Sequence, residues 1–96
     1  MKLKHWQGYG SVNATKKSSN IDKATNIKTL IIEVIGNHEC GIVRNDKYDL
    51  YNWLIKRFDK SVTNERQILD YDIHERTVTY NNTLTDCAVY TFHIQM

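Results

Sequence analysis

The sequence predicts an α+β fold: an antiparallel sheet of about five strands, in the order β-β-α-β-β-β, with one helix packed across one face. Three observations carry that expectation. Several stretches alternate apolar and polar residues with the period of a half-buried strand. One stretch, residues 46–58, instead repeats its apolar residues at helical spacing. The absence of proline and the richness in Asn, Thr, Ile and Tyr favour strands and turns over a helical bundle. The 96 residues make a single domain, residues 1–96, because smaller pieces could not bury a core.

Residues 3–15, LKHWQGYGSVNAT, read as the first strand, with Trp6, Gly8, Gly10, Val12 and Ala14 on one face and Tyr9 on the other. Residues 16–25, KKSSNIDKAT, read as a polar loop with a basic tip. Residues 26–35, NIKTLIIEVI, are apolar on both sides, as a central strand would be. Leu30, Ile32 and Val34 face one way, and Ile27, Ile31 and Ile35 the other. A polar loop between Gly36 and Gly41 leads on to the helix, with Ile42 and Val43 briefly extending the strand.

In the helix, Asp46 is a suitable N-cap and Asp49 complements the positive end of the dipole. Lys56, Arg57 and Lys60 complement the negative end. Leu50, Tyr51, Leu54, Ile55 and Phe58 share one apolar face, and Trp53 falls outside it, between Asp49 and Arg57.

After the connector SVTNER, residues 67–74 and 76–80 read as two strands, Asn81-Asn82-Thr83 as a turn, and residues 86–95 as the last strand. One sheet face then gathers Leu30, Ile32, Val34, Leu69, Tyr71, Ile73, Val78, Tyr80, Ala88, Tyr90, Phe92 and Ile94 against the helix. The opposite face gathers Glu33, Asp70, Asp72, His74, Thr77, Thr79, Thr91 and His93, and is expected to meet water or a polar partner.

The net charge of +2 conceals a division along the chain. Residues 1–28 carry six lysines against Asp22, residues 29–64 are balanced, and residues 65–96 carry five acids against Arg66 and Arg76. No apolar run approaches the ~20 residues of a membrane span. The basic start MKLKHWQ has no hydrophobic stretch behind it, so the expected location is the cytoplasm, with no membrane partner. Cys40 and Cys87 stand far apart without a CxxC motif, which favours packed thiols over a disulfide.

Four constellations invite a functional reading. In Asn37-His38-Glu39-Cys40, the residue types suit a metal or a nucleophile, but neighbours in a tight turn diverge, and a packed turn is the stronger reading. Asp70 and Asp72, with Glu33 near them, could serve as acid and base, yet a solvated sheet face explains the same residues without any function and is the stronger reading, since no pocket-forming motif accompanies them. The N-terminal lysines interleave with Trp6 and Tyr9, a pattern for phosphates and stacked bases that also suits a guarded edge strand. Trp53 beside Arg57 has the composition of an interface hot spot, unless a neighbouring segment buries the tryptophan.

Three stretches, KHWQGYG at 4–10, GNHECG at 36–41 and YNWLIKRFDK at 51–60, resemble short uncharacterised proteins of phages and prophages of Gram-positive bacteria. The resemblance covers about the first two-thirds of the chain, and departs from the pattern where Cys40 stands in place of an aromatic residue. It implies a phage accessory protein. Many small α+β phage proteins are anti-defence factors, anti-CRISPR proteins among them, that bind a host effector and block it. They share no active site, so the resemblance assigns no functional residue.

The expectation is therefore an interaction protein, not an enzyme, that binds and inhibits a bacterial defence component without a cofactor or metal. Trp53, Arg57, Trp6 and Tyr9 are its expected contacts, with Lys16 and Lys17 as steering charges. If it mimics nucleic acid, Asp70, Asp72 and Glu75 would form the acidic face. The alternative is a nucleotide or nucleic-acid binding module built on the basic N-terminal hairpin. Ile31 and Ile35, apolar on the polar face, suit a homodimer interface.

Overall fold

Strand patterning and turn chemistry build two hairpins that share one sheet. The computed structural model describes residues 13–36 and 47–96. Strands β1 (Asn13–Asp22) and β2 (Ile27–Gly36) form the first hairpin, and β3 (Ile68–Tyr80) and β4 (Thr83–Gln95) the second. The sheet is antiparallel, in the order β1-β2-β4-β3, and the helix lies on the connection that carries the chain from β2 to the far edge. Four strands among the described residues replace the expected five.

Asparagine closes both hairpins. Asn81 and Asn82 have φ of 50° and 63° and form the two-residue loop between Tyr80 and Thr83, where a turn of that hand matches the strand twist. Asn26, at φ 59°, ends the four-residue loop of the first hairpin, and its amide donates to the Asp22 carbonyl at 2.7 Å. The Asp22 carboxylate accepts the Ala24 amide at 2.9 Å, holding the turn from its other side.

Three strand boundaries differ from the expectation, each for a physical reason. KKSSNID, expected as a loop, forms most of β1; an edge strand buries little, so its ladder to β2 needs no apolar pattern. Of the expected first strand, residues 3–12 lie outside the described residues. The expected break at Glu75 does not occur, because Glu75 pairs with Ala88 and the 13-residue strand runs straight through it. Alternation therefore continues, putting Thr77 and Thr79 on the helix side and Val78 and Tyr80 on the other, the reverse of the expectation. At the start of β3, a bulge between Ile68 and Asp70 makes Leu69 the extra residue. Ile68 turns into the core and Leu69 is left 45% exposed.

The helix, α1, runs in three parts: Lys47–Leu50, a π-helical turn at Tyr51–Ile55, and Lys56–Phe58. In the middle part the Lys56 amide reaches back five residues to the Tyr51 carbonyl. A wider turn rotates fewer degrees per residue, so Trp53, Leu54 and Ile55, consecutive in sequence, all face the sheet. This corrects the placing of Trp53 on the outer flank: it is 1% exposed and meets Tyr90 edge to face at 6.0 Å. Asn52 bridges the widened turn, donating from its side chain to the Tyr48 carbonyl at 3.0 Å.

The core thus packs Leu50, Trp53, Leu54 and Ile55 onto Leu30, Ile32 and Val34 of β2 and Ala88, Tyr90, Phe92 and Ile94 of β4. Ties at both ends lock the layers. Lys47 donates to the Ile68 carbonyl at 2.8 Å, next to the bulge, and Lys28 pairs with Asp59 just past the helix. In the connector, Asn64 caps a short 3₁₀ turn at Glu65–Gln67, and Gln67 reaches on to the Gln95 carbonyl at 3.1 Å.

Candidate interaction surfaces

The face of the sheet away from the helix is organised by one carboxylate. Glu33, at the centre of β2, accepts from Arg76 of β3 at 2.7 Å and lies 3.4 Å from Lys17 of β1. The Cys87 thiol of β4 donates to the same carboxylate at 3.7 Å, so all four strands meet at Glu33. Lys17 is the extra residue of the bulge between Lys16 and Ser18, and its ammonium reaches the Glu33 side. Burial, which leaves the Glu33 side chain 12% exposed, pushes its carboxyl up. The hydrogen bonds from Arg76 and Lys17 outweigh that effect and hold it below its ordinary value. Burial likewise pushes the Cys87 thiol up, with Glu33 adding to it against Arg76, so the thiol stays protonated at neutral pH. This cluster is a structural pin between strands.

Toward one end of the same face, Asp70 bonds His93 across β3 and β4, with Asp72 and His74 exposed beside them. Glu75 lies on the helix side, so the three acids expected as a nucleic-acid-like face are split between two faces. Among the described residues no three His, Cys, Asp or Glu side chains converge as a metal site. His38, Glu39 and Cys40 lie outside those residues.

The expected contacts are also distributed. Trp53 is in the core and offers no surface. Arg57, four residues further on, is exposed, with its guanidinium 5.8 Å from the centre of the Phe58 ring. Lys16 and Lys17, both exposed, point to opposite faces of β1, and Lys17 is engaged by Glu33. Trp6 and Tyr9 lie outside the described residues. Ile31 and Ile35 are half-buried on the Glu33 face.

Two surfaces were not legible beforehand. β2 ends at Gly36, opposite Asp86, and among the described residues only β3 and β4 continue past it, as a two-stranded ribbon closed by Asn81 and Asn82. The ribbon carries Leu84, 71% exposed and flanked by Thr77 and Thr79, while Tyr80 contacts the Asn13 side chain. An apolar residue directly after the Asn81-Asn82-Thr83 turn was the available sequence signal. The second surface is a cleft of about 370 Å³ where α1 meets the connector, lined by Tyr51, Lys56, Lys60, Val62 and Thr63.

No helix among the described residues is long and apolar enough to cross a membrane. Comparison with protein-family models, curated proteins and solved structures returned no match.

Proposed function

We propose that the chain is a small interaction protein that binds and inhibits a bacterial protein, and that its target is a defence component such as a CRISPR effector. The observation that carries the binding part is the β3–β4 ribbon, which holds Leu84 71% exposed on a scaffold already ordered by its turn. An apolar anchor on rigid backbone costs little conformational entropy to dock. Thr77 and Thr79 beside it offer a polar rim, with Asp86 opposite Thr77 on the same face. The choice of target rests on the resemblance to phage accessory proteins.

The test is phage plating on a host with an active CRISPR system. Expression of the chain is expected to restore plating, and Leu84→Asp, checked for native circular dichroism, to abolish it. Restoration by neither protein removes the proposed target. Restoration by both removes the ribbon as the contact. A lysate pull-down with mass spectrometry of bound proteins and nucleotides separates this reading from the nucleotide-binding one, which predicts nucleic acid or nucleotide in the eluate.

A further inference from the structure

The widened turn of α1 does more than bring Trp53 inward. In a regular α-helix, residues five apart stand about 140° apart around the axis. The π-helical turn bonds the Lys56 amide to the Tyr51 carbonyl and sets these two residues on one side of α1. There both line the cleft of about 370 Å³, together with Lys60, Val62 and Thr63.

The cleft is built on fixed parts. Tyr51 is half-buried and packs against the core, and Val62, 1% exposed, supplies an apolar floor. Hydrogen bonds hold the connector wall: the Asp59 carboxylate accepts the Ser61 amide at 3.0 Å, and the Val62 amide donates to the Asp59 carbonyl at 3.3 Å. The Thr63 amide and hydroxyl both donate to the Gln67 side-chain oxygen, at 2.7 and 2.9 Å. The Thr63 hydroxyl oxygen therefore keeps lone pairs for an outside donor.

Positive charge at the cleft is uncompensated. Lys56 and Lys60 are exposed, and among the described residues no carboxylate pairs with either ammonium. Asp59, between them in sequence, is engaged by Lys28 and Ser61. The negative end of the helix dipole accounts for cations here. It does not account for an aromatic ring, an apolar floor and a hydroxyl acceptor gathered beside them.

We propose that this cleft binds a nucleoside monophosphate, with the phosphate at Lys56 and Lys60, the base against the Tyr51 ring above Val62, and a sugar hydroxyl donating to Thr63. Two ammoniums suit a phosphate monoester, which carries about −1.5 to −2 charge at neutral pH, better than a single carboxylate. The volume is at the low end of the roughly 300–1,000 Å³ of small-molecule sites, which suits one nucleotide and not a polymer. A tyrosine face accepts any base, so all four nucleotides are ligands. The cleft shares no residue with the Leu84 ribbon, and its ligand is independent of what the ribbon docks to.

NMR titration of the isotope-labelled full chain with AMP, GMP, CMP and UMP tests it. The expected result is saturable shifts at Tyr51, Lys56, Lys60, Val62 and Thr63, with dissociation constants of roughly 10–1,000 µM for a site open to water. A complex this weak dissociates in the washes of a pull-down and leaves no nucleotide in that eluate. Inorganic phosphate and adenosine, each carrying part of the ligand, are expected to bind at least tenfold more weakly than AMP. The double variant Lys56→Gln, Lys60→Gln changes only exposed side chains and is expected to lower AMP affinity at least tenfold. Tyr51→Leu is expected to lower AMP affinity severalfold and to leave phosphate affinity unchanged. No shift with any nucleotide, or shifts confined to residues outside the cleft, overturns the proposal. Phosphate binding as tightly as AMP overturns the nucleotide as ligand, and full AMP affinity in the double variant overturns the anion site.

Discussion

At the scale of single residues, Trp53 and Glu33 do the most. Trp53 fills the space between α1 and Tyr90, and its truncation leaves a cavity that the stacked pair Tyr90 and Phe92 cannot close. Trp53→Ala is expected to lower unfolding stability by about 3–5 kcal/mol, measured by urea denaturation. Glu33 governs the acid response. Its carboxyl is held below 4.5 in the folded protein, so the folded state binds fewer protons there than the unfolded chain. The stability it contributes is present above pH 4.5 and is lost as pH falls through the lowered folded value. Asp59 follows the same rule from 3.8: burial pushes it up, and its bonds to Lys28 and Ser61 more than reverse this. Urea midpoints taken from pH 7 to pH 3 should fall on acidification for the native protein. Glu33→Gln should lower the midpoint at pH 7 and flatten the acid slope, since Arg76 and Lys17 then lose their counter-charge.

At the scale of elements, local irregularities decide which side chains are inside. The bulge at Leu69 reverses two neighbours that simple alternation would place the other way. Ile68→Ala is therefore expected to cost about 2–5 kcal/mol and Leu69→Ala well under that, whereas unbroken alternation from Tyr71 predicts the opposite order. The same measurement, repeated on each variant, decides it. The second hairpin depends on its turn, where Asn82 sits at φ 63°. A β-branched residue there meets the left-handed penalty, so Asn82→Val should lose roughly 1–2 kcal/mol. The π-helical turn is the third irregularity. It adds a residue to one turn of α1, and the sequence carries no marker for it, because nothing in YNWLI departs from ordinary helix composition.

At the scale of the molecule, the sheet places β1 and β3 at its two ends among the described residues and extends β3 and β4 beyond β2 as a ribbon. The charge division expected along the sequence is partly undone by folding. Lys17 and Arg76, from the two edge strands, converge on Glu33 near the middle of one face. Raising the ionic strength should change the proposed docking through Leu84 little, since it rests on apolar burial and not on charge pairs. Pull-down at low and high salt checks it.

The sequence by itself determined an antiparallel sheet with one helix, the central place of NIKTLIIEVI, the Asn81-Asn82 turn and most of the core face of β4. Each is a local property, written in periodicity or turn chemistry within a few residues. Only the tertiary structure decided that KKSSNID is a strand, that Glu75 does not interrupt β3, that Ile68 replaces Leu69 in the core and that Trp53 faces inward. Those outcomes depend on partners distant in the chain. An edge strand exists because β2 offers it hydrogen bonds, and a bulge or a widened helical turn persists because the buried surface it gains exceeds the regular geometry it gives up.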